Sequence, residues 1–171
     1  MAITISGSGI TSANIADGTI TASDFASGVG GKVLQVVSAV DATQVQSTST
    51  SNVDVLNTAI TPSATSSKIL VRVTGTIYSW DNASLSATHE TVGTLFRGTI
   101  SGTEIYSGSF YNAATDGKGS FVLEYLDSPS TTSAQTYTLG MKVLGAGDYY
   151  HFPSRTGTSH EATITLMEIG V

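Results

Sequence analysis

The segment Lys68 to Trp80 (KILVRVTGTIYSW) alternates in character along its whole length. Ile69, Val71, Val73 and Ile77 fall on one side, with Gly75 in register between them, and Leu70, Arg72, Thr74, Thr76, Tyr78 and Trp80 fall on the other. A period of two belongs to a β-strand, because successive side chains leave a strand on opposite faces. A strand this long needs neighbours on both edges and a second layer over its apolar face. Ala134 to Val143 repeats the pattern, with Tyr137, Leu139, Met141 and Val143 opposed to Thr136, Thr138, Gly140 and Lys142. Shorter strands are expected over Lys32–Val40, Val53–Ile60, Glu90–Arg97, Glu104–Ser107, Gly119–Leu126 and Glu161–Ile169. Thr61-Pro62, Ser101-Gly102 and Asp127-Ser128-Pro129 punctuate them with turn chemistry. The spacing leaves no room for helical crossovers, so the strands should pair antiparallel. The expected fold is all-β: an antiparallel sandwich of about eight strands over residues 32–171. A jelly roll is the leading topology and an immunoglobulin-like sandwich the second.

Residues 1–31 read differently. One large apolar residue recurs every fifth position, at Ile5, Ile10, Ile15, Ile20 and Phe25, with small or polar residues at most positions between. Five is neither the strand period nor the helix period. The segment is expected to be an extended attachment or oligomerisation arm, held by something other than itself; the alternative for a Gly/Ser-rich terminus is a disordered tail. Gly28, Gly30 and Gly31 then form a hinge.

Composition bounds the function. A domain of about 140 residues buries roughly 68% of its unfolded surface and needs no staple. The absence of cysteine removes disulfides and thiolate metal sites. Charged residues are 12% of the chain, against about 25% in ordinary domains. With a net charge of -6 and seven scattered Lys and Arg, a run of phosphates would go unneutralised, so no nucleic-acid partner is expected. No stretch has the length of a membrane span, and no basic, apolar leader precedes Lys32. The expectation is a protein made in a cytoplasm, with no membrane partner.

The motifs of catalysis are missing. His89-Glu90 and His160-Glu161 place each pair on opposite strand faces, and no zinc-binding histidine pair, nucleophile elbow or phosphate loop is present. Asp116, Asp127, Asp148 and Glu124 supply carboxylates, but their spacing demands no acid–base pair. Asp81-Asn82 and Asp116 lack the dense oxygen pattern of a calcium loop. No catalytic residue, metal or cofactor is expected. The residues left to contact a partner or a glycan are aromatic: Tyr149, Tyr150, His151 and Phe152 in an expected loop over Gly145–Ser159, and Phe110 and Tyr111 in another over Gly108–Lys118. Such residues either stack on sugars or cover an open end of the sandwich or a subunit interface. Tyr78 and Trp80 carry the same pair of readings.

Four stretches resemble a β-domain of tailed-bacteriophage structural proteins: GGKVLQVVSAV (30–40), ITPSATSSKILVRVTG (60–75), LEYLDSPSTTSAQTYTL (123–139) and ATITLMEIGV (162–171). The segment ANIADGTITASDFASG (13–28) is similar to the N-terminal attachment segments of phage fibres. The resemblance implies a non-catalytic virion protein, often homotrimeric, of the fibre or capsid-decoration type. The expectation is a peripheral fibre or spike subunit, held by its arm to other capsid or tail proteins and able to touch a host-surface glycan. A decoration (cement) protein of the head lattice and a carbohydrate-binding module are the alternatives.

Overall fold

The computed structural model describes residues 33–81, 89–112, 116–145, 147–154 and 160–170. The chain divides into two compact units, Met1–Lys32 and Val33–Val171. The expected arm, with Ile5, Ile10, Ile15, Ile20 and Phe25, lies outside the described residues. The described strands all belong to the second unit.

Ten strands and no helix occur among the described residues: β1 (Val33–Asp41), β2 (Val45–Ser47), β3 (Val53–Ile60), β4 (Lys68–Asp81), β5 (His89–Arg97), β6 (Thr103–Asn112), β7 (Asp116–Asp127), β8 (Gln135–Val143), β9 (Asp148–Phe152) and β10 (Ala162–Ile169). All pairings are antiparallel. They form a six-stranded sheet, in which β4 takes β7 on one edge and β10 followed by β9 along the other, and a four-stranded sheet in the order β3-β8-β5-β6. The all-β, antiparallel expectation is met.

The pairing has a simple rule. With the two short strands β2 and β9 set aside, the first main strand pairs with the last (β1–β10), the second with the seventh (β3–β8), the third with the sixth (β4–β7) and the fourth with the fifth (β5–β6). The chain is one long antiparallel hairpin rolled on itself, and the roll is closed by β10 on β4 and by β8 on β5. The short pair β2–β9 obeys the same nesting, between β1–β10 and β3–β8.

The two sheets close over one core. Ile69, Val71, Val73 and Ile77 of β4 and Ile164 and Leu166 of β10 meet Tyr137, Leu139, Met141 and Val143 of β8 and Leu95 of β5. Every one of these is fully buried, and burial of such a side chain is worth about 1.5–3 kcal/mol. Space for the largest rings comes from glycine. A Cβ on Gly75 would collide with the Phe152 ring, and one on Gly93 with the Phe121 ring. The two rings then meet edge to face at 5.6 Å.

Three local features depart from what the sequence pattern suggests. The sequence pattern puts Val53 and Val55 on one face with Leu56 opposite. A register shift between Asp54 and Leu56 instead buries both Val55 and Leu56, because a bulge inserts one residue and lets neighbours share a face. The first strand reads in sequence as partly buried on both sides. It is an edge strand, with Val36 and Val40 exposed and Val37 and Ala39 packed inward. The expected loop over 108–118 is largely strand, since β6 runs to Asn112 and β7 starts at Asp116.

Candidate functional site

Strand β9 falls where the sequence suggests a loop. It pairs instead with β2 on one edge and β4 on the other, and all five of its residues are buried. Period two then divides its aromatics. Tyr150 and Phe152 enter the core. Burial pushes the Tyr150 hydroxyl up to about 12, against the hydrogen bond with Ser47, and that hydroxyl donates to the Met141 carbonyl at 3.2 Å.

Tyr149 and His151 take the other side, over the outer face of β4. The register sets Tyr78 beside His151 and Trp80 beside Tyr149. The rings form a chain: Tyr78 and His151 at 5.5 Å, His151 and Tyr149 at 5.3 Å, Tyr149 and Trp80 at 4.9 Å edge to face. The Lys118 ammonium, brought in by β7, stands 5.6 Å over the Tyr78 ring. Trp80 is 37% exposed, whereas Tyr149 is 9% and His151 2%. The cluster therefore offers solvent the Trp80 indole, with Tyr78 half-buried beside it, on a packed base of Tyr149 and His151. Its chemistry is stacking on a flat apolar surface.

The sequence-selected aromatics separate by environment. Tyr150, His151 and Phe152 are withdrawn from the surface of this chain, so they cannot contact a glycan without rearrangement of β9. Phe110 packs against the core beside Gly119, where a Cβ would collide with its ring. Tyr111 stays outside, 58% exposed. Two tyrosines not singled out from the sequence, Tyr106 and Tyr125, stack at 5.6 Å with 15° between their planes. They bridge the edges of the two sheets, which only the roll brings together. No short-range sequence signal marks that pair. By contrast, the alternation of β4 already puts Tyr78 and Trp80 on one face.

Of the carboxylates considered for an acid–base pair, Asp127 turns inward and Glu124 outward on β7. Asp127 is buried and receives Arg97 through Nε at 2.8 Å and through Nη2, and the Tyr137 hydroxyl donates to it at 2.7 Å. Burial opposes ionisation of Asp127, but these hydrogen bonds and the Arg97 charge outweigh it and hold the carboxyl below its usual range. Burial, and then the hydrogen bond to Asp127, push the Tyr137 hydroxyl far up. Glu124 faces Arg72 on the outer surface at 3.7 Å, with both side chains about half exposed. Among the described residues, no group of three or more His, Asp or Glu could hold a metal ion, and no helix is long and apolar enough to cross a membrane.

No family model and no curated protein matches the chain.

Proposed function

We propose that this chain is a non-catalytic bacteriophage virion protein: a trimeric peripheral fibre or spike subunit, anchored to the particle by its N-terminal arm and directed at the host surface by its β-domain. The observation that carries the reading is the nested pairing of first strand with last, second with seventh, third with sixth and fourth with fifth. We read it as a jelly roll, an architecture used by viral capsid and lectin domains. Two further features support the reading. The fibre-like arm sequence precedes the domain. The titratable groups held away from their ordinary values also act as internal ties: Asp127 and Tyr137 join two sheets and Glu168 pins a turn.

Particles propagated with a tagged copy of the protein test the proposal. Immunogold labelling should decorate the tail. Labelling of the head lattice would make the protein a capsid decoration subunit, and protein absent from purified particles would defeat both forms. Deletion of residues 1–28 should leave the sandwich folded and abolish incorporation; retained incorporation would show that the arm is not the anchor. The host-contact element is tested by binding to host cells, which Trp80→Ala should weaken if the exposed indole takes part.

A further inference from the structure

We propose that the open edge of β1 is an interface between copies of this chain: two copies pair through it, strand to strand and antiparallel, across a two-fold axis at Ser38. The contact lies within the β-domain and goes beyond the proposed function, since it needs neither the arm nor the particle.

The edge strands among the described residues are β1, β2 and β7 of one sheet and β3 and β6 of the other. Edges invite pairing with another chain, and short length, bulges and charge are the usual protections. Strand β2 is only three residues long. Strands β3 and β6 are each interrupted by a bulge, at Val55 and at Ile105. Strand β7 bears Lys118 and Glu124 and packs beside β6, with Leu123 over Gly108 and Phe110 over Gly119. Strand β1 has none of these over most of its length. Its register shift lies at its first residues, and from Gln35 to Asp41 it runs without a break along β10. It contains no Lys, Arg or Pro, and its one charge is Asp41, at its end. Among the described residues β10 is its sole hydrogen-bonded neighbour, so alternate amides and carbonyls of β1 face outward along the edge. The same strand is apolar where it meets water: Val33, Leu34, Val36 and Val40 are 50–56% exposed. Contiguous exposed apolar surface of this kind marks an interaction site.

The sequence of β1 names the occupant, because the strand matches itself. A two-fold axis perpendicular to the sheet at Ser38 keeps both outer faces on one side and fixes every cross-strand pair. On the outer face Val36 of each copy meets Val40 of the other, and Ser38 meets Ser38. On the inner side Val37 meets Ala39, and both already pack toward the core. Gln35 meets Asp41 at the two ends. Apolar residues meet apolar ones, hydroxyl meets hydroxyl and amide meets carboxylate, the kinds of pair that stabilise a sheet. The two Asp41 carboxylates, each accepting from its own Thr43 amide at 2.6 Å, stay about 20 Å apart. An axis at Val37 would set Ser38 against Val36, and one at Ala39 would set Asp41 against Val37. An isologous contact of this kind closes at two copies, and the two six-stranded sheets become one.

The chain has no cysteine, so an introduced one reports the register. Full-length Ser38→Cys, mildly oxidised and run without reductant, should become mostly a covalent dimer that reductant dissolves. Val36→Cys and Val40→Cys, each alone, should stay largely single, because like residues four positions along would lie about 14 Å apart, beyond the reach of a disulfide. Absence of the Ser38→Cys dimer would overturn the proposal, and so would equal crosslinking at all three positions, which random collision gives. Light scattering of the parent chain should report an even copy number, two or, where the proposed trimer also forms, six. Val36→Lys with Val40→Lys should halve that mass and leave the thermal midpoint within a few degrees, since both sites are exposed and substitutions there cost little stability. A parent mass of one copy, as when the edge is covered by the chain itself or kept for a different protein, would overturn the pairing. A mass of three would overturn it while leaving the proposed function standing. Loss of the trimer or of incorporation into particles, with the Ser38→Cys dimer intact, would remove the proposed function and keep the pairing.

Discussion

Asp127 ties the two sheets together. It ends β7 in one sheet, and its partners Arg97 and Tyr137 belong to β5 and β8 in the other. Asp127→Asn removes the charge and leaves Arg97, whose side chain is only 28% exposed, without its ion-pair partner. The expected cost is about 2–3 kcal/mol, below the full cost of splitting a wholly buried pair because Arg97 retains some water. Tyr137→Phe removes one neutral donor to the same carboxylate and should cost about 1 kcal/mol. Urea unfolding of both variants measures the difference. Glu168 is the second tie. It is buried in β10 and accepts from the Ser63 amide at 2.7 Å, the Ser63 hydroxyl at 2.6 Å and Gln35 Nε2 at 2.6 Å. Burial alone would raise its pKa, but the hydrogen bonds bring it down to about 2, from an ordinary 4.5. A carboxyl lowered by folding contributes stability above its unfolded pKa and loses it as pH falls through the folded one. The thermal midpoint should therefore fall between about pH 5 and pH 2, with Asp127 adding in the same direction. Glu168→Gln should flatten that slope and lower the midpoint at neutral pH. A midpoint unchanged from pH 5 to pH 2 would contradict the role given to both carboxylates.

At the scale of the element, β5 and β9 are instructive. In β5 the alternation Val92, Thr94, Phe96 is visible in the sequence, but burial does not follow it: Thr91, Gly93 and Leu95 on the other face are buried, and so are Thr94 and Phe96. Gly93 carries no side chain to signal burial, yet it is the slot for the Phe121 ring. Gly93→Val should cost about 1–3 kcal/mol through overpacking, and near-ultraviolet circular dichroism should report the displaced aromatics. A variant as stable as the parent would show that the ring moves aside freely. The turn between β5 and β6 is legible, since Ser101-Gly102 lies where the chain reverses: the Gly102 amide donates to the Thr99 carbonyl at 2.7 Å. Gly98 opens that turn at a φ of 97°, a conformation that glycine adopts at little cost. Strand β9 is not legible. Its five residues (DYYHF) form an aromatic run between glycines and a proline, and exposed loops have the same look. What makes it a strand is a pair of edges, offered by β2 and by the far half of β4.

At the scale of the whole molecule, each strand of the rolled hairpin is partnered by one far away in sequence, except at the β5–β6 turn. Folding should be slow for a chain of this size, in the range of milliseconds to seconds, because non-local closure precedes its reward. Stopped-flow refolding of residues 32–171 measures this, and a microsecond phase carrying the whole amplitude would contradict it.

The residues themselves determined a good deal. Alternation over Lys68–Trp80 and Ala134–Val143 dictated two buried strands, because a period of two leaves only one face to hide. The shortage of charge and the lack of helical periods dictated an all-β sandwich. Tertiary structure alone decided which strands adjoin, and with it every feature that depends on register. These are the tie from Asp127 to Arg97 and Tyr137, the meeting of Tyr78 and Trp80 with His151 and Tyr149, and the Tyr106–Tyr125 stack. The partners lie ten or more residues apart and carry no mutual signal until strand pairing and the packing of the two sheets bring them together.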